Sequence, residues 1–112
     1  MTTIPYNLTI DAEEVNNVID NIMLDVSAEL TRACQLYPQW PLNNITGAAI
    51  VVEEAGELLQ AALDFEWHQK TVVKTKMYNE AIQTIAMGLR FLIHNTIADK
   101  LEADASTKDK LN

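Results

Sequence analysis

The side chains best suited to chemistry are four glutamates: Glu53, Glu54 and Glu57 close together, and Glu80 further along. Glu54 and Glu57 stand three residues apart, so on a helix their carboxylates project from neighbouring positions of one face. Carboxylates gathered at the edge of an apolar face are unfavourable unless something cationic meets them. Acidic groups on two facing helices can enclose a divalent cation, and Mg2+ favours such hard oxygen ligands in octahedral geometry. The same Glu-Glu-x-x-Glu spacing also suits a solvated helix surface, because Glu is a good helix former. Spacing alone does not separate the two.

The segments that carry these residues read as helices. Asp11 is a predicted N-cap for a first helix running to about residue 36. Its stripe of Val15, Val18, Ile19, Ile22, Val26, Leu30 and Ala33 recurs at three- and four-residue steps. Pro38 and Pro41 break the pattern and predict a loop over 37–44. Asn44 or Thr46 then opens a second helix through about residue 67, with Val51, Ala55, Leu58, Ala62 and Phe65 on one face. At about 100° per residue, Glu54 lies about 60° from the centre of that face, and Glu57 further round the same flank. A polar turn over 68–71 leads to a third helix over 73–95, and the polar stretch 99–112 predicts a short helix followed by a loose tail.

No segment alternates with period two between turn signals. Even Ile50-Val51-Val52 runs without a break into a helical pattern, and no proline follows Pro41. The expected fold is all-α: an antiparallel helical bundle of three main helices plus a short C-terminal helix. It forms one domain over 1–112, with its core at about 11–98. In the third helix, Tyr78, Ile82, Ile85, Leu89 and Leu92 make one apolar face. Met87 and Phe91 lie towards the other side with Glu80, and Ala81 and Gly88 lie on the flank. A helix apolar nearly all round is buried on more than one side. In so short a chain the second side is expected to face another subunit, giving a homodimer or homotetramer.

Composition narrows the function classes. The 112 residues carry a formal charge of −8, from eight Lys+Arg against sixteen Asp+Glu. That argues against duplex nucleic acid and anionic membranes as partners, both of which favour basic surfaces. One cysteine, Cys34, forms no internal disulfide, and its place near the apolar stripe predicts a small core residue. The first residues lack a signal-peptide pattern, no apolar run is long enough to span a membrane, and the expected location is cytoplasmic.

The run Val-Glu-Glu-Ala-Gly-Glu-Leu-Leu-Gln-Ala-Ala-Leu at 52–63 resembles the first motif of the MazG-like all-α nucleoside triphosphate pyrophosphohydrolases. That superfamily carries Glu-x-x-Glu on one helix and Glu-x-x-Asp on the next. Glu54 and Glu57 match the first pair, with Gly56 at the small position between them, and Glu80 follows after a gap within the family's range. The stretch 78–92 resembles the second motif in members of phage and mobile-element origin. The Tyr-Pro-Gln-Trp-Pro-Leu segment at 37–42 resembles the loop before the first motif in the same branch. The likeness covers roughly residues 30–93, and it departs at one place, where Gln83 stands for the final Asp. A Gln carbonyl can ligate Mg2+, but it supplies no charge and cannot act as a base.

The resemblance implies Mg2+-dependent hydrolysis of a (d)NTP to (d)NMP and pyrophosphate, with Mn2+ as a substitute metal. Glu54, Glu57 and Glu80 are the implied metal ligands, and Gln83 is a weak or water-mediated one. Glu53 and Glu54 are the candidate catalytic carboxylates, Glu53 as a supporting acid or base. Lys70, Lys74, Lys76 and Arg90 flank the site in sequence. Lys74 and Arg90 are the candidate phosphate contacts, Arg90 foremost because it interrupts an apolar stretch. Each can equally be an ordinary surface charge. Trp40 is a candidate for stacking on the base, although packing is the commoner role for it and for Trp67. His68 and His94 stand alone and read as surface or helix-end residues, and Gly47 and Gly56 make no phosphate-binding loop. The rival reading is a non-catalytic helical oligomer that binds nucleotide or a protein partner.

Overall fold

The computed structural model describes residues 7–68 and 71–111, and no strand occurs among them. Three helices, α1 (Ala12–Leu36), α2 (Asn44–His68) and α3 (Thr71–Leu111), make the all-α fold expected from the sequence. Asp11 caps α1 as predicted, its Oδ1 accepting from the backbone N–H of Glu14 at 2.9 Å. The cap of α2 is Asn43, one residue before the predicted start. Its Oδ1 accepts from the backbone N–H groups of Ile45 at 2.9 Å and Thr46 at 3.1 Å. The predicted turn at 68–71 falls partly outside the described residues.

The C-terminal expectation is corrected. No short separate helix or loose tail follows residue 95; α3 continues without interruption for 41 residues to Leu111. No proline or glycine occurs after Gly88, and Ala, Leu, Lys and Glu are good helix formers. The polarity of this stretch therefore reflects its solvent exposure rather than a break in the helix.

α3 is the central element. α1 and α2 each pack on it, and among the described residues no close backbone approach joins α1 to α2. Tyr78 of α3 donates to Asp25 of α1 at 2.6 Å, and Arg90 of α3 donates to the carbonyl of Tyr37 just past α1. These contacts advance together along both helices, so α1 and α3 run in the same direction. Gly47 lies beside Phe91, whereas Glu57 lies beside Glu80, so α2 runs opposite to α3. The core gathers Ala33, Ala86 and Met87 against Leu30, Trp40, Ile50 and Val51, with Val26 and Ala61 buried as well. The small alanines let the helices approach closely.

This register explains which predicted apolar residues are covered. Val26, Leu30 and Ala33 of the α1 stripe pack, but Val15, Val18 and Ile19 are exposed, at or beyond the level where α3 begins. On α2, Val51, Leu58, Ala62 and Phe65 are half-buried, and Ala55 is exposed. Met87 and Phe91 pack within the chain, Phe91 beside α2 and Met87 in the core, rather than waiting for a second subunit. Tyr78, Ile85 and Leu92 are left open. Cys34 is exposed rather than in the core, since Ala33 takes the inward position and the next residue turns about 100° away. The last turns of α3 project past the other helices, and the molecule extends 75 Å along its long axis.

Candidate metal centre and adjoining cavity

Antiparallel packing of α2 on α3 sets Glu54 and Glu57 against Glu80. One carboxylate oxygen from each lies within 4.8 Å of the other two. Glu54 and Glu80 are half-buried and Glu57 is exposed. Glu54 falls between Val51 and Leu58 on the packed face of α2, deeper in the seam than a position at the core edge. The Oε2 atoms of both Glu54 and Glu80 are buried with no hydrogen-bond partner.

The electrostatics follow from that arrangement. Burial pushes the Glu54 carboxyl above its ordinary value, and the charges of Glu57, Glu80, Glu53 and Glu29 push it further. Burial also raises Glu80, aided by the charge of Glu57 and a hydrogen bond with it, while the charge of Lys76 opposes the rise. Both effects weigh against the ionised form, and a bound cation would offset the same repulsion.

Three carboxylate oxygens so placed are a donor set that could hold a metal ion. Ligand oxygens on an octahedral Mg2+ at about 2.0–2.1 Å stand roughly 3–4 Å apart. Adjacent ligands on such an ion stand roughly 2.9 Å apart, so carboxylate oxygens within 4.8 Å of one another would close by up to about 2 Å to share it. The two unpartnered oxygens would supply bonds, and water would complete the shell.

A cavity of about 290 Å3 adjoins Glu54, the one of the three carboxylates that lines it, and is bordered also by Gln83, Ile50, Trp40, Met87 and Arg90. Trp40 is stacked on His94, with ring centroids 5.6 Å apart and planes at 24°. The Arg90 guanidinium lies 5.0 Å from the Trp40 ring centroid. His94 is thus half-buried in a stack, not at a free surface or helix end. Gly47 makes this possible, because a Cβ there would come within 3.0 Å of Trp40 Nε1. Trp67, by contrast, is exposed, and His68 is exposed at the end of α2.

The predicted basic residues separate. Arg90 is only 4% exposed. Its Nη2 donates to the carbonyls of Tyr37 at 2.5 Å and Gln39 at 3.3 Å. It therefore ties the 37–40 loop to α3, and its Nε, which has no partner, is the group left over. Lys74 is exposed and lies about 120° round α3 from Glu80. Lys76, one turn before Glu80, borders the same hollow as Glu80 and Gln83. Lys70 lies outside the described residues. Glu53 is exposed and acts on Glu54 through its charge without joining the converging three. Gln83 borders both the main cavity and the hollow beside Glu80.

Two residues that sequence reasoning missed are Glu29 and Arg32 of α1. Arg32 Nε donates to Glu29 Oε2 at 2.9 Å and Nη2 to Oε1 at 2.6 Å, and both residues line the cavity. The available signal was an Arg three residues after a Glu, beside the part of the α1 stripe that packs.

No family model, curated protein or solved structure matches the chain. No helix among the described residues is long and apolar enough to cross a membrane.

Proposed function

We propose that the chain is a Mg2+-dependent nucleoside triphosphate pyrophosphohydrolase, converting a (d)NTP to (d)NMP and pyrophosphate in nucleotide-pool housekeeping in the cytoplasm. It would work as a homo-oligomer. One observation carries the reading: Glu54, Glu57 and Glu80 converge with two buried, unpartnered oxygens beside a cavity that holds an aromatic and a guanidinium group. The resemblance of 52–63 and 78–92 to the MazG-like motifs supplies the substrate class.

Bound by the three glutamates, Mg2+ would neutralise phosphate charge and lower the pKa of a bound water. The remaining roles belong to the chain. Glu54, Glu57 and Glu80 hold the metal, and Gln83 offers a neutral carbonyl beside them. Glu54 also orients the attacking water, and Glu53 is the assigned supporting acid or base. Trp40 takes the base against its ring, while Arg90 keeps the Trp40 loop in place and presents Nε to the substrate. Lys74 remains a candidate phosphate contact through side-chain reach alone. Mn2+ would replace Mg2+, since both accept oxygen ligands in octahedral sites.

One observation favours the rival, a helical oligomer that binds nucleotide or a protein partner without turnover. Gln83 borders the cavity where a charged Asp would complete the motif. Pyrophosphate release from a panel of standard and damaged (d)NTPs, with Mg2+, with Mn2+ and with EDTA, separates the two. Release that requires metal and is lost in Glu54→Gln and Glu80→Gln supports the enzyme. A folded, metal-binding chain that releases nothing supports the rival.

A further inference from the structure

We infer that Glu29 of α1 selects the base of the nucleotide proposed above, its carboxylate accepting a hydrogen bond from an exocyclic amino group. The site would then take cytosine over uracil, or adenine over hypoxanthine, the keto base being the one turned away. The inference rests on the reading of this cavity as a nucleotide site, and it concerns a residue to which that reading gives no role.

Placement is the first observation. Glu29, Arg32 and Ala33 stand at three- and four-residue steps on α1 and line the cavity from that side. The Glu29 side chain is 16% exposed, whereas that of Arg32 is 55% exposed. An ordinary surface ion pair has both partners in water and contributes little to stability. Here the acid is the covered partner, and it faces a cavity. Its charge is felt at Glu54, which lines the same cavity from α2.

The second observation is which polar groups are already committed. Arg90 donates to the carbonyls of Tyr37 and Gln39. Glu54 belongs to the three converging carboxylates. Arg32 donates Nε and Nη2 to Glu29. Glu29 differs, because a carboxylate has room for about four hydrogen bonds and Arg32 makes two of them. One oxygen takes Nε and the other takes Nη2, so each keeps an acceptor position, and the planar fork of Arg32 fixes where they point. Ala33, Pro41, Ile50 and Met87, which also line the cavity, offer a base no strong side-chain hydrogen bond.

The chemistry follows from that inventory. The amino group of cytosine or adenine donates where a carboxylate accepts. The carbonyl that replaces it in uracil or hypoxanthine is itself an acceptor. It would meet the Glu29 oxygen with the same sign of partial charge and leave both without a partner. A site built on a hydrogen bond to its substrate rejects the analogue that lacks it far more strongly than an apolar wall rejects a change of shape. Arg32 keeps the carboxylate aligned and is a positioning residue.

The test is isothermal titration calorimetry of the full chain with the monophosphates of cytidine, uridine, adenosine and inosine, first in EDTA and then with Mg2+. We expect the amino member of at least one pair to bind about tenfold or more tightly than its keto counterpart. Glu29→Gln, whose carboxamide both donates and accepts, should bring that ratio below about threefold, with the keto ligand gaining. Arg32→Ala should weaken the amino ligand and keep the preference in the same sense. A ratio near one in the wild type overturns the inference, and so does a ratio that survives Glu29→Gln. If Glu29→Gln loses its helical circular dichroism, the ligand is changed instead. Cytidine monophosphate with both amino hydrogens replaced by methyl should bind the wild type no better than the uridine ligand, and binding equal to that of the cytidine ligand overturns the inference. No binding by any of the four at millimolar concentration, in either condition, overturns it too. A chain that hydrolyses dCTP and dUTP alike keeps the enzyme reading and loses this one, whereas selective binding without turnover does the reverse.

Discussion

Glu57 and Glu80 lie on opposed helices, 23 residues apart in the chain, yet they bring carboxylate oxygens within 4.8 Å of each other, and the charge of Glu57 adds to burial in pushing the Glu80 carboxyl up. Glu54 joins them from one turn away with an unpartnered buried oxygen. Either protonation or a bound cation would relieve the repulsion among the three. Its consequences can be measured without knowing the substrate.

Divalent metal should stabilise the fold through these three residues. At a free Mg2+ concentration ten times the dissociation constant, binding adds about 1.4 kcal/mol. For a domain of this size that corresponds to a rise in Tm of about 5–10 °C. Differential scanning fluorimetry with and without MgCl2, at fixed protein concentration, should show the rise in the wild type. Glu54→Gln and Glu80→Gln should abolish it, and each should melt above the wild type in EDTA because a repulsive charge is gone.

The pH dependence has a definite sign. Glu54 and Glu80 are raised in the folded state above the ordinary carboxyl value of 4.5. Between that value and the raised one the folded state binds more protons than the unfolded state, so stability falls as pH rises through this window. In EDTA, Tm should therefore climb as the pH is lowered through that window towards 4.5. Saturating Mg2+ should flatten the slope. The Glu54→Gln, Glu80→Gln double variant should show a smaller slope than the wild type in EDTA, and an equal slope would remove these two groups as its origin.

Arg90→Ala should destabilise the fold by about 2–4 kcal/mol, since it strips charged hydrogen bonds from two carbonyls and a cation–π contact from Trp40. Arg90→Lys should recover less than half of that loss, because an ammonium cannot present the same planar fork to the two carbonyls. Urea denaturation followed by tryptophan fluorescence reads the stability and the loosening of the Trp40 loop.

Asn43→Ala should cost about 1 kcal/mol by removing the side-chain acceptor for two backbone N–H groups at the start of α2. Asn43→Asp should retain the cap. Hydrogen exchange should localise the loss to the first turn of α2. A loss spread evenly over the whole chain would instead point to global unfolding and away from a local cap.

Much of this molecule is written in short-range patterns. Asp11 before the α1 stripe, and Pro38 and Pro41 after it, delimit α1 almost to the residue, because caps and helix breakers act within one turn. Glu-x-x-Glu on α2 and Glu80 on α3 are paired through the motif resemblance, and the antiparallel packing of α2 (Asn44–His68) on α3 (Thr71–Leu111) brings them together.

Other features depend on where whole helices come to rest. The polar end of α3 looked like a tail because it lacks a stripe to bury, yet helix propensity carries it on without a partner. Cys34 and Ala33 are neighbours in sequence, but about 100° of rotation puts one in water and the other in the core. Arg90, Glu29 and Arg32 meet one cavity only because α1 runs parallel to α3 at a fixed offset. The same geometry leaves Lys74 pointing away and Lys76 beside Glu80. Local spacing carries the face on which a side chain starts. Which charges finally share a cavity is settled by the rotation and offset of each helix against its neighbours, and those come from the packing of many residues at once.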